Sequence, residues 1–214
     1  MANNAPRGGL SPVKMANGQD YHGIGRPYYH APLDSVALGI GDAVVKTGTS
    51  NLVAIVPSGG RVLGAMEFPI GSLPTVAKVT NGDNNKITGV VVAVGMDPAG
   101  SGAGPMYCPA STAAVVWVED DPNVIFEIQS DGAASLHAAG NIGTNANLTG
   151  STPNASTGRS SSKLDSSSMT NSATYQLTIE GVSRDLNRSD FASSGPSFYV
   201  RINNHSEAPN LAGI

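Results

Sequence analysis

The chain has 214 residues, 40% of them hydrophobic and 13% charged, with 26 Gly, 14 Pro and a formal net charge of -4. That is enough apolar material for one generous domain or two small ones, and a charged fraction well under the roughly 25% of an average soluble domain disfavours exposed helices, whose outer faces carry Glu, Lys and Arg. The acidic balance excludes the electrostatic footprint of a nucleic-acid or anionic-membrane binder, and the lone Cys108 excludes an intramolecular disulfide and a multi-thiolate metal site.

Residues 1–31 show no apolar periodicity, and Pro6, Pro12 and Pro27 interrupt any regular element. The sequence therefore predicts an extended N-terminal arm. Its opening lacks the apolar centre of a secretory signal, and no later run approaches the roughly 18 apolar residues of a membrane span, so a soluble product without an ordinary export signal is expected. Tyr21, His22, Arg26, Tyr28, Tyr29 and His30 give the arm a local density of groups suited to docking on a neighbour, because tyrosine offers apolar area and a hydroxyl at small entropic cost.

Short strands separated by turn signals follow. Val36–Leu38 and Ala43–Lys46 flank the turn Gly39-Ile40-Gly41-Asp42; Leu52–Val56 and Arg61–Phe68 flank Pro57-Ser58-Gly59-Gly60; Val76–Thr80 and Lys86–Val94 flank Asn81–Asn85. No amphipathic helix separates them, which argues against a parallel α/β fold and for an all-β protein, a barrel or a jelly-roll-like sandwich. The stretch VVWVEDDPNVIFEIQSDG, Val115–Gly132, reads as the clearest β-hairpin, closed by an acidic turn. Its first arm is apolar on both faces and contains Trp117, so it is expected to be covered on both sides; in its second arm Val124, Phe126 and Ile128 form a core face, with Ile125, Glu127 and Gln129 at least partly wet.

From about Ala138 to Ser172 the composition shifts to Gly, Asn, Thr and Ser, as in SSSKLDSSSMTNS. So little apolar content does not offset ordering entropy, and a long surface loop or mobile tip is expected. Strands return at Tyr175–Ile179 and Phe198–Ile202 before a polar tail. The organisation that results is an arm over 1–31, a β-rich domain over 32–206 with a conceivable boundary near Gly104, and a tail over 207–214.

The search for chemistry yields no catalytic residue, metal site or cofactor. Glu119, Asp120 and Asp121 lack the alternating ligands and distant bidentate Glu of a calcium loop and read as a polar turn. Glu127 and Asp131 read as a solvated strand face. His22, His30, His137 and His205 lack zinc spacing and are expected in separate surface positions. Cys108 lies in a Pro-bounded turn without a nucleophile setting. The glycines of Gly100–Gly104 are followed by Pro105, not by the Lys-Ser/Thr of a phosphate loop.

Taken in order, GVVVAVGMDP (Gly89–Pro98), the run from Val115 to Gly132, TGRSSSKLD (Thr157–Asp165), YQLTIEGV (Tyr175–Val182) and VRINNH (Val200–His205) resemble a group of tailed-bacteriophage virion proteins described as head decoration, cement or minor capsid proteins. Each segment is a strand with its turn and none is a catalytic signature. The resemblance implies a non-enzymatic protein made in the host cytoplasm and located in the virion, on the outer surface of the head. There it would bind the major capsid protein in many copies as a homodimer or homotrimer, without nucleic-acid, membrane or small-molecule partners. A head-tail connector or tail component is the nearest alternative, and a host-surface carbohydrate-binding module a more distant one. On this reading the residues from Tyr21 to His30 named above contact the shell or a second copy, and removal of residues 1–31 leaves a folded protein that no longer decorates heads.

Overall fold

The computed structural model describes residues 3–4, 8–55, 68–95, 106–132, 134–150 and 152–208. The all-β expectation holds, and the architecture is a closed barrel beside a second, open sheet. Strands β1 (Ser11–Met15), β7 (Val124–Gln129), β8 (Asn145–Ala146), β11 (Leu177–Val182) and β12 (Ser197–Ile202) form an antiparallel sheet in the order β1-β7-β12-β11-β8. Strands β2 (Arg26–His30), β3 (Ala43–Ser50), β4 (Pro74–Lys78), β5 (Gly89–Val94) and β6 (Ala114–Glu119) close the barrel in the order β2-β4-β3-β5-β6. The short pair β9 (Leu148–Thr149) and β10 (Lys163–Leu164) completes the fold. In chain order the barrel is thus an insertion between β1 and β7, which pair with each other.

Alternation along the barrel strands sorts their side chains into layers. Tyr28, Val44, Val76, Val91, Val116 and Val118 form the inner cluster, with Leu38 and Cys108 beside them. A bulge in β5 between Val91 and Ala93 shifts the pleat by one residue, which is why Val91 and Val94 both join that cluster. On one outer side Ala43, Val79, Ile87 and Val90 meet Val124, Phe126, Ile128, Ile179, Phe198 and Val200 of the second sheet in the largest core. On another, Tyr29 and Val115 are covered by Ile55, Phe68 and Leu73. The first arm of Val115–Gly132 is therefore covered on both faces, and Val124, Phe126 and Ile128 are core, as the alternation indicates.

Three expectations need correction. The stretch Val115–Gly132 is not a hairpin: β6 pairs with β2 and β5, whereas β7 pairs with β1 and β12, so Asp120–Asn123 is the corner at which the chain leaves the barrel for the second sheet. The described residues within 1–31 do not form a separate extended arm. β1 forms an edge of the open sheet, and β2 closes the barrel between β4 and β6. The Ser-rich segment is not a mobile tip: it contributes β8, β9 and β10, it buries Leu148, Ser160, Ser162, Leu164 and Ser166, and polar ties hold it down where apolar contacts are few. The strand expected over Arg61–Phe68 and the boundary near Gly104 lie outside the described residues, apart from Phe68, which bridges Ile55.

Candidate functional site

The corner after β6 gathers three of the six arm residues that the sequence singles out. Tyr21 donates its hydroxyl to Glu119 Oε2 at 2.7 Å, and Tyr28 donates to Asp120 Oδ2 at 2.7 Å. Arg26, mostly exposed, reaches the same Asp120 oxygen at 3.4 Å. Both carboxylates are buried, although the sequence reads there only as a polar turn. Burial first, and then the neighbouring carboxylates, push both phenols well above their ordinary value, so each remains a donor at any physiological pH. Lys46 lies over the Tyr28 ring, 5.8 Å from its centroid, and pairs with Glu207. His22 is exposed and stands apart from this group.

Tyr28, Tyr29 and His30 are buried, which corrects their assignment as docking residues; side chains inside the fold are not available to a partner. Tyr29 packs under Ile55 and Phe68 on the outside of the barrel. His30 ends β2 at a polar cluster: Nδ1 lies 2.9 Å from Thr112 O and 3.2 Å from Cys108 Sγ, and Nε2 lies 3.2 Å from Val36 O and 3.3 Å from Asp34 Oδ2. The sequence of Cys, His and Asp suggests a nucleophilic triad, yet the setting of the sulfur opposes one. Cys108 is fully buried in the inner cluster, and Sγ also faces the carbonyls of Pro109 and Thr112, acceptors that favour the thiol over the thiolate.

Elsewhere the acidic groups act as ties between distant segments. Asp42 Oδ2 accepts from Gly39 N at 2.8 Å, and its Oδ1 accepts from Lys78 Nζ at 2.7 Å, from Ser162 Oγ at 3.3 Å and from Ser160 Oγ. Gly41 keeps this turn tight: its φ of +94° suits glycine, and a Cβ there would stand 2.6 Å from Gly8 O. Glu127, expected on a wet face, is buried and accepts from Ser183 Oγ at 2.7 Å and Arg188 Nη1 at 3.2 Å. The expectation of surface histidines fails for His30, His137 and His205, all buried. His137 Nε2 lies 2.7 Å from Ser130 Oγ, its Nδ1 has no hydrogen-bond partner, and burial lowers its basicity despite the nearby Asp131. Among the described residues no group of three or more His, Cys, Asp and Glu side chains is placed to hold a metal ion.

One exposed apolar surface was not legible as such in the sequence. Residues 51–55 and 68–73 form a flap over Tyr29 and Val115, with Ile55 and Phe68 exchanging backbone hydrogen bonds of 2.9 and 3.0 Å. Fully buried Asn51 fixes it. Its Nδ2 donates to Val53 O at 2.9 Å and Pro69 O at 2.8 Å, and its Oδ1 accepts from Leu73 N at 2.9 Å. Ile55, Phe68 and Leu73 face inward, while Leu52, Val53 and Ile70 are 81%, 57% and 67% exposed. The sequence signal was present in Leu52–Val56, an apolar run that reads as a strand; what turns part of it outward is the asparagine clamp, whose partners lie up to 22 positions away. Compared with known proteins, the chain matches no family model, no curated protein and no solved structure.

Proposed function

We propose that the chain is a structural protein of a tailed-phage head, bound to the outer surface of the shell in many copies and bridging major capsid protein subunits. The resemblance of its segment order to decoration proteins motivates the reading, and the flap is the observation that carries it. A decoration protein needs a stiff scaffold and a preformed adhesive surface, because contacts repeated by shell symmetry work at modest individual affinity. The Asn51 clamp supplies the preformed surface: Leu52, Val53 and Ile70 are held outward before any partner arrives, so little ordering entropy is lost on contact. The buried ties at Asp42, Glu119, Asp120 and Glu127 support the stiff scaffold.

The test is co-sedimentation of the full chain with heads that carry only the major capsid protein. Wild type is expected to pellet with heads, and Leu52→Asp combined with Ile70→Asp, substitutions on exposed positions, to lose at least tenfold in affinity while keeping the wild-type circular dichroism spectrum. Absence of wild-type binding would overturn the reading. A connector or tail role remains the second reading within the same virion; imaging would then find the protein in a ring at one vertex instead of spread over the shell.

A further inference from the structure

The C-terminal segment 203–208 runs off the end of β12 and docks on the barrel through a short set of contacts. Ile87 N–H donates to Asn204 O and Ser206 N–H donates to Ile87 O, each at 2.9 Å, which makes a single parallel bridge between Ile87 and His205. Ser206 Oγ meets Thr88 Oγ1 at 3.1 Å, and Glu207 pairs with Lys46 of β3. At the centre of these contacts the imidazole of His205 is only 1% exposed.

We propose that His205 is an acid-operated latch: neutral, it holds segment 203–208 on the barrel, and protonated, it releases the segment. The geometry of the ring gives the reason. Nδ1 accepts the Glu207 N–H at 3.0 Å, so it carries a lone pair and the ring is neutral. A proton added at Nδ1 sets donor against donor and removes that bond. Nε2 is buried without a well-formed hydrogen bond, facing the backbone of Thr88 and Asp120. The charged groups around the ring are Glu207 on its own segment and Asp120 on the corner after β6; Lys46 and Arg26 stand behind them. Asp120 is already engaged by Tyr28 and Arg26, and Glu207 by Lys46, so neither is free to pair closely with an imidazolium. Burial accordingly holds His205 below the ordinary histidine value, with the charges of Glu207 and Asp120 and the backbone of Thr88 and Asp120 pulling the other way.

The sign follows from linkage. The released segment, with its ring in water, takes up a proton near pH 6.5, whereas the docked segment does so only at lower pH. Docking is therefore at full strength above about pH 6.5 and weakens as pH falls below it, by up to about tenfold in the opening equilibrium per pH unit until the docked value is reached. Opening would uncover Ile87, a fully buried member of the core shared by the barrel and the open sheet.

Hydrogen exchange of the full chain, corrected for the intrinsic pH dependence of amide exchange, tests this at Ile87 and Ser206. In wild type, protection of both amides is expected to fall between pH 7.5 and 5, while amides of β7 keep theirs. In His205→Gln, which keeps an acceptor and does not titrate, protection is expected to be independent of pH over that range. Unchanged wild-type protection at pH 5 would overturn the proposal, as would an equal loss in the variant. A direct titration of the His205 ring by NMR guards against a variant that fails to dock at all: a midpoint at or above that of an unfolded histidine would overturn the latch without reference to any substitution.

Discussion

Asn51 illustrates how one polar side chain decides the conformation of a surface loop. Its amide satisfies two carbonyls and one N–H of the flap; in Asn51→Ala, Pro69 O keeps Ser72 as a donor, while Val53 O and Leu73 N lose the bond to the side chain. At about 1–3 kcal/mol for each unsatisfied buried group, partly relieved by entering water, a loss of roughly 2–3 kcal/mol in urea unfolding is expected, together with easier proteolysis of the flap. His137 makes a second residue-scale case. Its folded basicity is depressed by burial, so the unfolded chain binds the extra proton first; stability should be complete above about pH 6.5 and decline as pH falls below it. Replacing His137 by Gln should flatten that part of the pH profile measured by thermal unfolding. The sequence disclosed residues whose role depends on near neighbours, such as Val124, Phe126 and Ile128, because a two-residue alternation is itself the signal. Asn51, Asp42 and His205 were not legible, since the partners that define them lie on other strands and leave no local pattern.

Elements were legible in class and only partly in place, since β1, β2 and β8 to β10 fall in stretches that read as arm or loop, and their pairing was not legible. Two apolar runs around Asp120-Asp121-Pro122-Asn123 satisfy every local rule for a hairpin, yet β6 takes β2 and β5 as neighbours, with one face filling the barrel and Val115 on the other covered by Ile55, Phe68 and Leu73, while β7 pairs in the open sheet and sends Val124, Phe126 and Ile128 into the shared core. The acidic corner is compatible with burial because Tyr21 and Tyr28 supply hydroxyls to its carboxylates. Deleting residues 1–31 removes β1 and the barrel strand that joins β4 to β6, so it should abolish cooperative unfolding in circular dichroism instead of leaving a folded core. For the Ser-rich segment the decisive element is Asp42, the shared acceptor of Ser160, Ser162 and Lys78. Asp42→Ala should cost about 3–5 kcal/mol, the range for breaking a buried ion pair, and should speed tryptic cleavage after Arg159 and Lys163 relative to wild type. Adding Lys78→Met should recover part of the stability without restoring protection of the segment, because the serine acceptor is still missing.

At the scale of the molecule, the question is whether barrel and open sheet behave as two bodies or one. Their junction is the largest hydrophobic cluster, with Ala43, Val79, Ile87 and Val90 from the barrel side against Phe126, Ile128, Phe198 and Val200 from the sheet. Chain connectivity strengthens it, since β1 belongs to the sheet and β2 to the barrel, and the chain crosses back at Asp120–Asn123. Neither body can leave the other without exposing Phe126 and Phe198, both fully buried, at roughly 1.5–3 kcal/mol for each large side chain. One transition is therefore expected, with coincident midpoints for two probes that report on different places. Trp117, on the outer face of the barrel, provides the fluorescence signal, and far-ultraviolet circular dichroism follows all strands together. Phe126→Ala, made in the sheet, should lower stability by about 3–5 kcal/mol and shift the Trp117 midpoint by the same amount as the dichroism midpoint. A Trp117 transition that stays at its wild-type position while the dichroism splits would mean that the barrel stands alone, and the stiffness that the proposed role requires would then have to come from within each body separately.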